Sequence, residues 1–181
     1  MTVDILQIAK QIVDISTLEK LKGGSCRNVY RLNDTQVIKI AKSPKGLEQN
    51  LCANDYLLIN EGILPKLEDV GLDYIITEYI PRNDKETRQF LKPLRSLTMG
   101  DFKDKTSKLQ DTMHKLHLET LMDYNILWND VLSWRNWGTR SNGMHVLIDE
   151  GAINDRIHFS STPENWAIQE WEQIKRLRCT N

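Results

Sequence analysis

The chain has 181 residues and carries 24 Lys and Arg against 25 Asp and Glu, a formal net charge of −1. That length buries enough apolar surface for one domain or two small lobes. So balanced a charge supplies no global field, which removes nucleic acid and anionic membranes from the expected partners.

At the start, Ile5, Ile8, Ala9, Ile12 and Val13 recur at three-and-four spacing and predict an amphipathic helix. The stretch has no basic start, and Asp4, Gln7, Lys10 and Gln11 interrupt it, so neither a signal peptide nor a membrane span is expected. Residues 28–32 and 36–41 predict two strands joined at Asn33-Asp34, a strong turn pair. Ser43-Pro44 breaks the second strand, and Leu47, Leu51, Tyr56 and Leu58 predict a helix running to Glu61-Gly62. Strands are then predicted over 63–67 and 74–79, about a turn at Gly71. Residues 82–101 read as a charged connector with one short helix.

Phe102, Thr106, Leu109, Met113 and Leu116 predict the longest helix, over about 101–121. Segment 124–137 has no clean period but holds Trp128, Trp134 and Trp137, so a packed-down loop is expected. Asn142-Gly143 signals a type I′ hairpin turn, with 144–148 as the outgoing strand. The last helix starts at Thr162-Pro163-Glu164 and is expected to bury Ala167, Trp171, Ile174 and Leu177. Cys26, Cys52 and Cys179, three cysteines with no C-x-x-C pair, fit a reducing compartment, so a cytoplasmic location is expected.

Two features carry chemistry. Gly23, Gly24 and Ser25 lie at a turn between strands, where small residues let backbone N–H groups approach phosphate oxygens. Lys39 follows inside an apolar strand, flanked by Val37, Ile38, Ile40 and Ala41, where a lysine is costly unless it has a partner. Read alone, the loop is equally an ordinary hairpin turn and Lys39 an edge-strand lysine pointing to solvent. Likewise, Asp149-Glu150-Gly151 alone is a strand ending in a turn, Asn136 a local turn-former and Asp130 a capping aspartate. His114 and His117 sit at a metal-pair spacing without a partner residue, and Lys175, Arg176 and Arg178 suit a helix C-terminus.

The run Gly23-Gly24-Ser25-Cys26-Arg27-Asn28-Val29-Tyr30, then Val37-Ile38-Lys39-Ile40, then Lys45 to Asn50, resembles the small kinase-like proteins of tailed bacteriophages and bacteria. These are distant relatives of protein kinases and of aminoglycoside and choline phosphotransferases. The resemblance continues through Ile63-Leu64-Pro65-Lys66-Leu67 and Ile75-Ile76-Thr77-Glu78-Tyr79, and resumes at Asn136-Trp137-Gly138 and Val146 to Gly151. It implies an α+β, minimal protein-kinase-like fold: an antiparallel five-stranded N-lobe sheet plus a reduced helical C-lobe. Residues 1–80 would be the opening helix and nucleotide-binding lobe and 81–181 the reduced helical lobe, with the nucleotide between them.

By the same resemblance ATP and Mg²⁺ are the cofactors. Gly23, Gly24 and Ser25 would cover the phosphates, Lys39 would reach them, Asn136 and Asp149 would hold metal, and Asp130 would be the base. The implied function is phosphoryl transfer to a protein hydroxyl by a serine/threonine-kinase-like enzyme. Two alternatives are a catalytically inactive kinase-like protein that occupies a partner, a host protein if the chain is phage-encoded, and a small-molecule phosphotransferase. The pattern also departs from the family. Lys22 and Arg27 stand where the first and third loop glycines fall, and Ala53 stands where relatives carry the helix glutamate that holds the lysine, leaving Glu48 or Asp55 as substitutes. Asp130 lies one position further from Asn136 than in the familiar catalytic loop, and little chain follows Gly151.

Overall fold

A computed structural model of the chain describes residues 5–8, 11–21, 24–92, 131–149 and 163–179. The opening stretch is not the amphipathic helix expected: β1 (Ile5–Ile8) and β2 (Gln11–Asp14) pair antiparallel, with Ile5 opposite Asp14 and Ile8 opposite Gln11. Residue type overrides spacing here. Ile5, Ile8, Ile12 and Val13 are all β-branched, stiff at χ1 and better placed on a pleated strand than on a helix. Asp14 then accepts the Ser16 N–H at 2.9 Å and caps a 3-10 turn, Ile15–Thr17, that leads into the main sheet.

The described chain forms two compact units, each assembled from separate stretches: 1–54 with 66–79 and 160–181, and 55–65 with 80–159. In the first unit, β3 (Glu19–Leu21), β4 (Arg27–Arg31), β5 (Gln36–Ala41), β6 (Leu67–Val70) and β7 (Tyr74–Glu78) form one antiparallel sheet ordered β3-β4-β5-β7-β6. This is the five-stranded sheet expected, and the fold is α+β. The turn joining β4 to β5 is fixed locally, since Asn33 accepts the Thr35 N–H at 2.9 Å through its side-chain oxygen. Alternation along the strands then sorts the two faces. Ile38, Ile40, Tyr74 and Ile76 bury with Ile15, and Val13, Leu18, Tyr30 and Leu32 pack around them. Val37, Lys39 and Ala41 lie on the opposite face.

Tyr74 donates to Asp69 at 3.3 Å. Burial first, then the Asp69 charge and hydrogen bond and the nearby Asp73 charge, hold its phenol above the usual tyrosine range. As pH rises, the unfolded chain therefore ionises at this position before the folded one. The stability is whole below the unfolded value of about 10 and is lost as pH climbs through it toward the folded value. Denaturant melts between about pH 8 and pH 11 should show an alkaline loss of stability that Tyr74→Phe reduces.

One expected helix is two. α1 (Pro44–Cys52) ends at Ala53, and α2 (Tyr56–Asn60) starts afresh where Asp55 accepts the Leu58 N–H at 3.0 Å. The strand expected from residue 63 begins only at Leu67. The carbonyls of Gly62 and Leu64 accept from the Arg140 guanidinium, that of Ile63 accepts the Leu147 N–H at 2.8 Å, and Pro65 has no N–H to offer a ladder. In the second unit, α3 (Asp84–Leu91) is capped by Asn83, and β8 (Trp137–Thr139) pairs with β9 (His145–Leu147). Leu58, Ile63, Leu64, Leu91, Val131, Trp137, Val146 and Leu147 are wholly buried there.

The hairpin turn closes one residue earlier than the type I′ reading has it. The Gly143 N–H donates to the Arg140 carbonyl at 2.9 Å, so Ser141 and Asn142 are the central residues. Gly143 takes a φ of 84°, the left-handed position a three-residue hairpin loop reserves for glycine.

α4 (Asn165–Cys179) packs against α1 within the first unit, where Ile174 and Trp171 meet Ala41 and Leu47. Leu177 is exposed, against expectation. The stripe Ala167, Trp171, Ile174 is continued at helical spacing by Arg178, which pairs with Asp73, and Leu177 lies to one side of it. The long helix expected over 101–121, with His114 and His117, lies outside the described residues. Among the described residues no helix is long and apolar enough to cross a membrane.

Candidate active site

Lys39 sits in β5, a central strand, opposite Val29 of β4 and Ile75 of β7. It is 4% exposed, between Val37 and Ala41 on its face. An edge-strand lysine directed to solvent is therefore ruled out. A buried ammonium in a sheet of this kind is costly unless countercharge meets it.

The loop before β4 is held by side chains that the sequence did not single out. Lys42 Nζ donates to the Gly24 carbonyl at 3.0 Å, and the Lys42 N–H donates to the Cys26 carbonyl at 2.8 Å. A Cβ on Gly24 would meet nothing within 4 Å, so that side of the loop is open to a ligand. Gly24 and Ser25 are both exposed, while Gly23 lies outside the described residues. Gly46 is constrained instead: a Cβ there would collide with the Cys26 carbonyl oxygen and stand 3.0 Å from the Ala41 Cα. The first turn of α1 thus rests directly on the loop and the lysine strand. A Gly46→Ala substitution forces backbone apart and should cost about 1–3 kcal/mol, read as a lowered melting temperature. The only signal for Gly46 in the sequence is a helix-weakening glycine inside a helical pattern.

Ala53, at the expected glutamate position, is buried. Of the two substitutes, Asp55 serves as the cap of α2. Glu48 is fully buried on α1, where it pairs with Lys45 at 2.7 Å and accepts the Glu164 N–H at 2.5 Å.

In the second unit the hairpin brings Asn136 and Asp149 together. Asn136 closes a 3-10 turn, Trp134–Asn136, and its carbonyl accepts the Ile148 N–H at 2.7 Å and the Asp149 N–H at 3.3 Å. Both residues are half-buried, at the end of the hairpin away from Gly143. Trp137 anchors the segment, its indole N–H donating to the Val131 carbonyl at 2.7 Å. An amide oxygen and a carboxylate are hard donors of the kind Mg²⁺ accepts, and Mg²⁺ commonly completes its shell with water and phosphate oxygens, so the donor set fits that ion. Among the described residues no group of three His, Cys, Asp or Glu could hold a metal. Asp130 lies outside the described residues.

No family model matches the sequence, and no curated protein matches it. Solved structures do. The chain is similar to APH(2'')-IIa in its ternary complex with streptomycin and ATP, at 21% identity over 76% of this chain and 66% of that one, with a TM-score of 0.41. It is also similar to the ADP-bound aminoglycoside phosphotransferase APH(2'')-Ib, at 21% identity over 78% of this chain and 68% of that one, with a TM-score of 0.39. The chain spans just under two thirds of the length of the first of these.

Proposed function

We propose that the chain transfers the γ-phosphoryl group of ATP to a hydroxyl of a small molecule, with Mg²⁺. The observation that carries this reading is Lys39, a lysine 4% exposed at the centre of a five-stranded sheet whose β3–β4 loop is open at Gly24. Phosphoryl transfer leaves a protein little covalent chemistry, so the work is positioning and charge stabilisation. Lys39 supplies countercharge to the phosphates, and the backbone N–H groups of Gly23, Gly24 and Ser25 cover them. Asn136 and Asp149 would hold Mg²⁺, which when bound neutralises phosphate charge. The acceptor oxygen bonds to the γ-phosphorus as the bond to the β–γ bridging oxygen breaks; ADP leaves, and the hydroxyl proton passes to Asp130.

A small acceptor is favoured over a peptide by the position of α4. Among the described residues it is the only helix after Asp149, and it packs on α1 in the first unit. Packed there, α4 is committed to the unit that bears the sheet rather than to a peptide-docking surface, which favours a small acceptor over the protein hydroxyl that the resemblance implies.

Thermal melts with and without MgATP, run beside a γ-phosphate transfer assay, test the reading. At a hundredfold excess over Kd the nucleotide stabilises by about 2.7 kcal/mol. For a chain of this size that is a rise of roughly 5–10 °C, which Lys39→Ala should largely remove. No shift and no transfer would sink the proposal. A shift without transfer to any hydroxyl would leave a nucleotide-dependent binding protein.

A further inference from the structure

We propose that Arg88 and Arg135, gathered around Trp134, form an anion-binding surface that recognises the acceptor through a phosphate or carboxylate group. The assignment of the bound anion as acceptor rests on the phosphotransferase reading.

On α3, Thr87 and Leu91 are buried, while Lys85, Arg88 and Lys92 are exposed at spacings of three and four, one basic stripe along the helix. The Arg88 guanidinium lies 3.8 Å from the centroid of the Trp134 ring, and that of Arg135 lies 5.2 Å from the same centroid. Two guanidinium groups therefore share one indole. Glu86, on the same helix, is engaged elsewhere: it accepts from Asn83 at 2.5 Å and stands 3.8 Å from His145. Among the residues whose side chains are described, no ion pair involves Lys85, Arg88, Lys92 or Arg135.

A guanidinium stacked on a ring uses its face and keeps its N–H edges, so the stack orients both forks without consuming their donors. Two oriented forks with no carboxylate partner among the side chains described suit bidentate binding of phosphate or carboxylate oxygens, and they repel a cationic acceptor. The net charge of −1 makes this a local feature rather than a property of the whole surface. Its place in the chain links it to the reaction. Arg135 immediately precedes Asn136, whose carbonyl accepts the Asp149 N–H. An anion held at the stack would be anchored beside the residues assigned to Mg²⁺.

The test uses four probes with one three-carbon frame: glycerol 3-phosphate, glycerate, glycerol and 3-amino-1,2-propanediol. Each is titrated into the full-length protein with MgADP present, and binding is followed by calorimetry. The two anions should bind saturably and the neutral and cationic probes should not. Arg88→Gln and Arg135→Gln should each weaken anion binding about tenfold. Lys175→Gln, an exposed lysine on α4 paired with Glu172, should leave it unchanged. MgATP should still raise the melting temperature of both arginine variants, which separates this proposal from the nucleotide reading: loss of that shift in wild type would count against the latter. Saturable binding by neither anion, or equal anion affinity in the double arginine variant, would overturn the proposal. So would a short single-stranded oligonucleotide that binds far more tightly than either anion through the same arginines, because the surface would then be a nucleic-acid interface.

Discussion

Replacing Trp137 with alanine should destabilise the second unit by about 3–5 kcal/mol, a larger effect than Gly46→Ala has on the first. The side chain is wholly buried, so truncation leaves a cavity, and it also removes the donor to the Val131 carbonyl. Trp137→Phe separates these causes. It fills most of the volume but leaves the carbonyl without its donor, for an expected cost of about 1–3 kcal/mol. Denaturant titration monitored by circular dichroism would measure both. Trp137 directly follows Asn136, and its anchoring sets the register in which the Asn136 carbonyl meets the Ile148 and Asp149 N–H groups. The phenylalanine variant should therefore also weaken the response to Mg²⁺. A variant as stable as wild type would mean that the indole is not the anchor its contacts imply.

Asp149→Ala should reduce phosphoryl transfer at least a hundredfold, a loss of about 2.7 kcal/mol of transition-state stabilisation. The bond that ties this position to Asn136 is donated by the backbone, so removal of the carboxylate leaves that bond in place. The variant should melt with wild-type cooperativity yet lose the extra stabilisation that Mg²⁺ adds to ATP. Asp130→Ala should behave differently, lowering kcat while the MgATP-dependent thermal shift persists. Kinetics and melts on the two variants together distinguish a metal ligand from a proton acceptor. Equal transfer rates in wild type and Asp149→Ala would remove Asp149 from the reaction.

The parts of the fold legible in the sequence are those where local chemistry and tertiary packing agree. The Asn33-Asp34 turn and the apolar run of β5 each specify their element without help from distant residues. The opening segment misleads because its spacing is helical, whereas its isoleucines and valine carry a strand preference that spacing does not register. The late start of β6 has no local signal at all. It follows from Arg140 and Leu147 claiming the carbonyls of residues 62–64, an arrangement set by a hairpin more than seventy residues away.

The candidate site divides in the same way. Lys39 is conspicuous as a charge inside an apolar strand, and Asn136 and Asp149 as polar residues bracketing a hairpin. Lys42 and Gly46 are not, because their importance lies in which backbone carbonyl each approaches. The pairing of Arg88 with Trp134 is equally hidden, joining a helix to a turn with no shared pattern.

The docking of α4 on α1 imposes an order of events on the making of the molecule. Glu48 and Glu164 are 116 residues apart, and Asp73 and Arg178 are 105 apart. At ordinary translation rates roughly ten seconds separate the synthesis of the two sides of the first contact. Throughout that interval Ala41 and Leu47 lack the apolar cover that Ile174 and Trp171 later provide. The sheet bearing Lys39 precedes α4 in the chain, yet the packing behind it is complete only once α4 has docked. The second unit, whose segments all precede α4, has time to fold first, so a nascent chain should form the hairpin that joins Asn136 to Asp149 before the packing behind its lysine strand is secured.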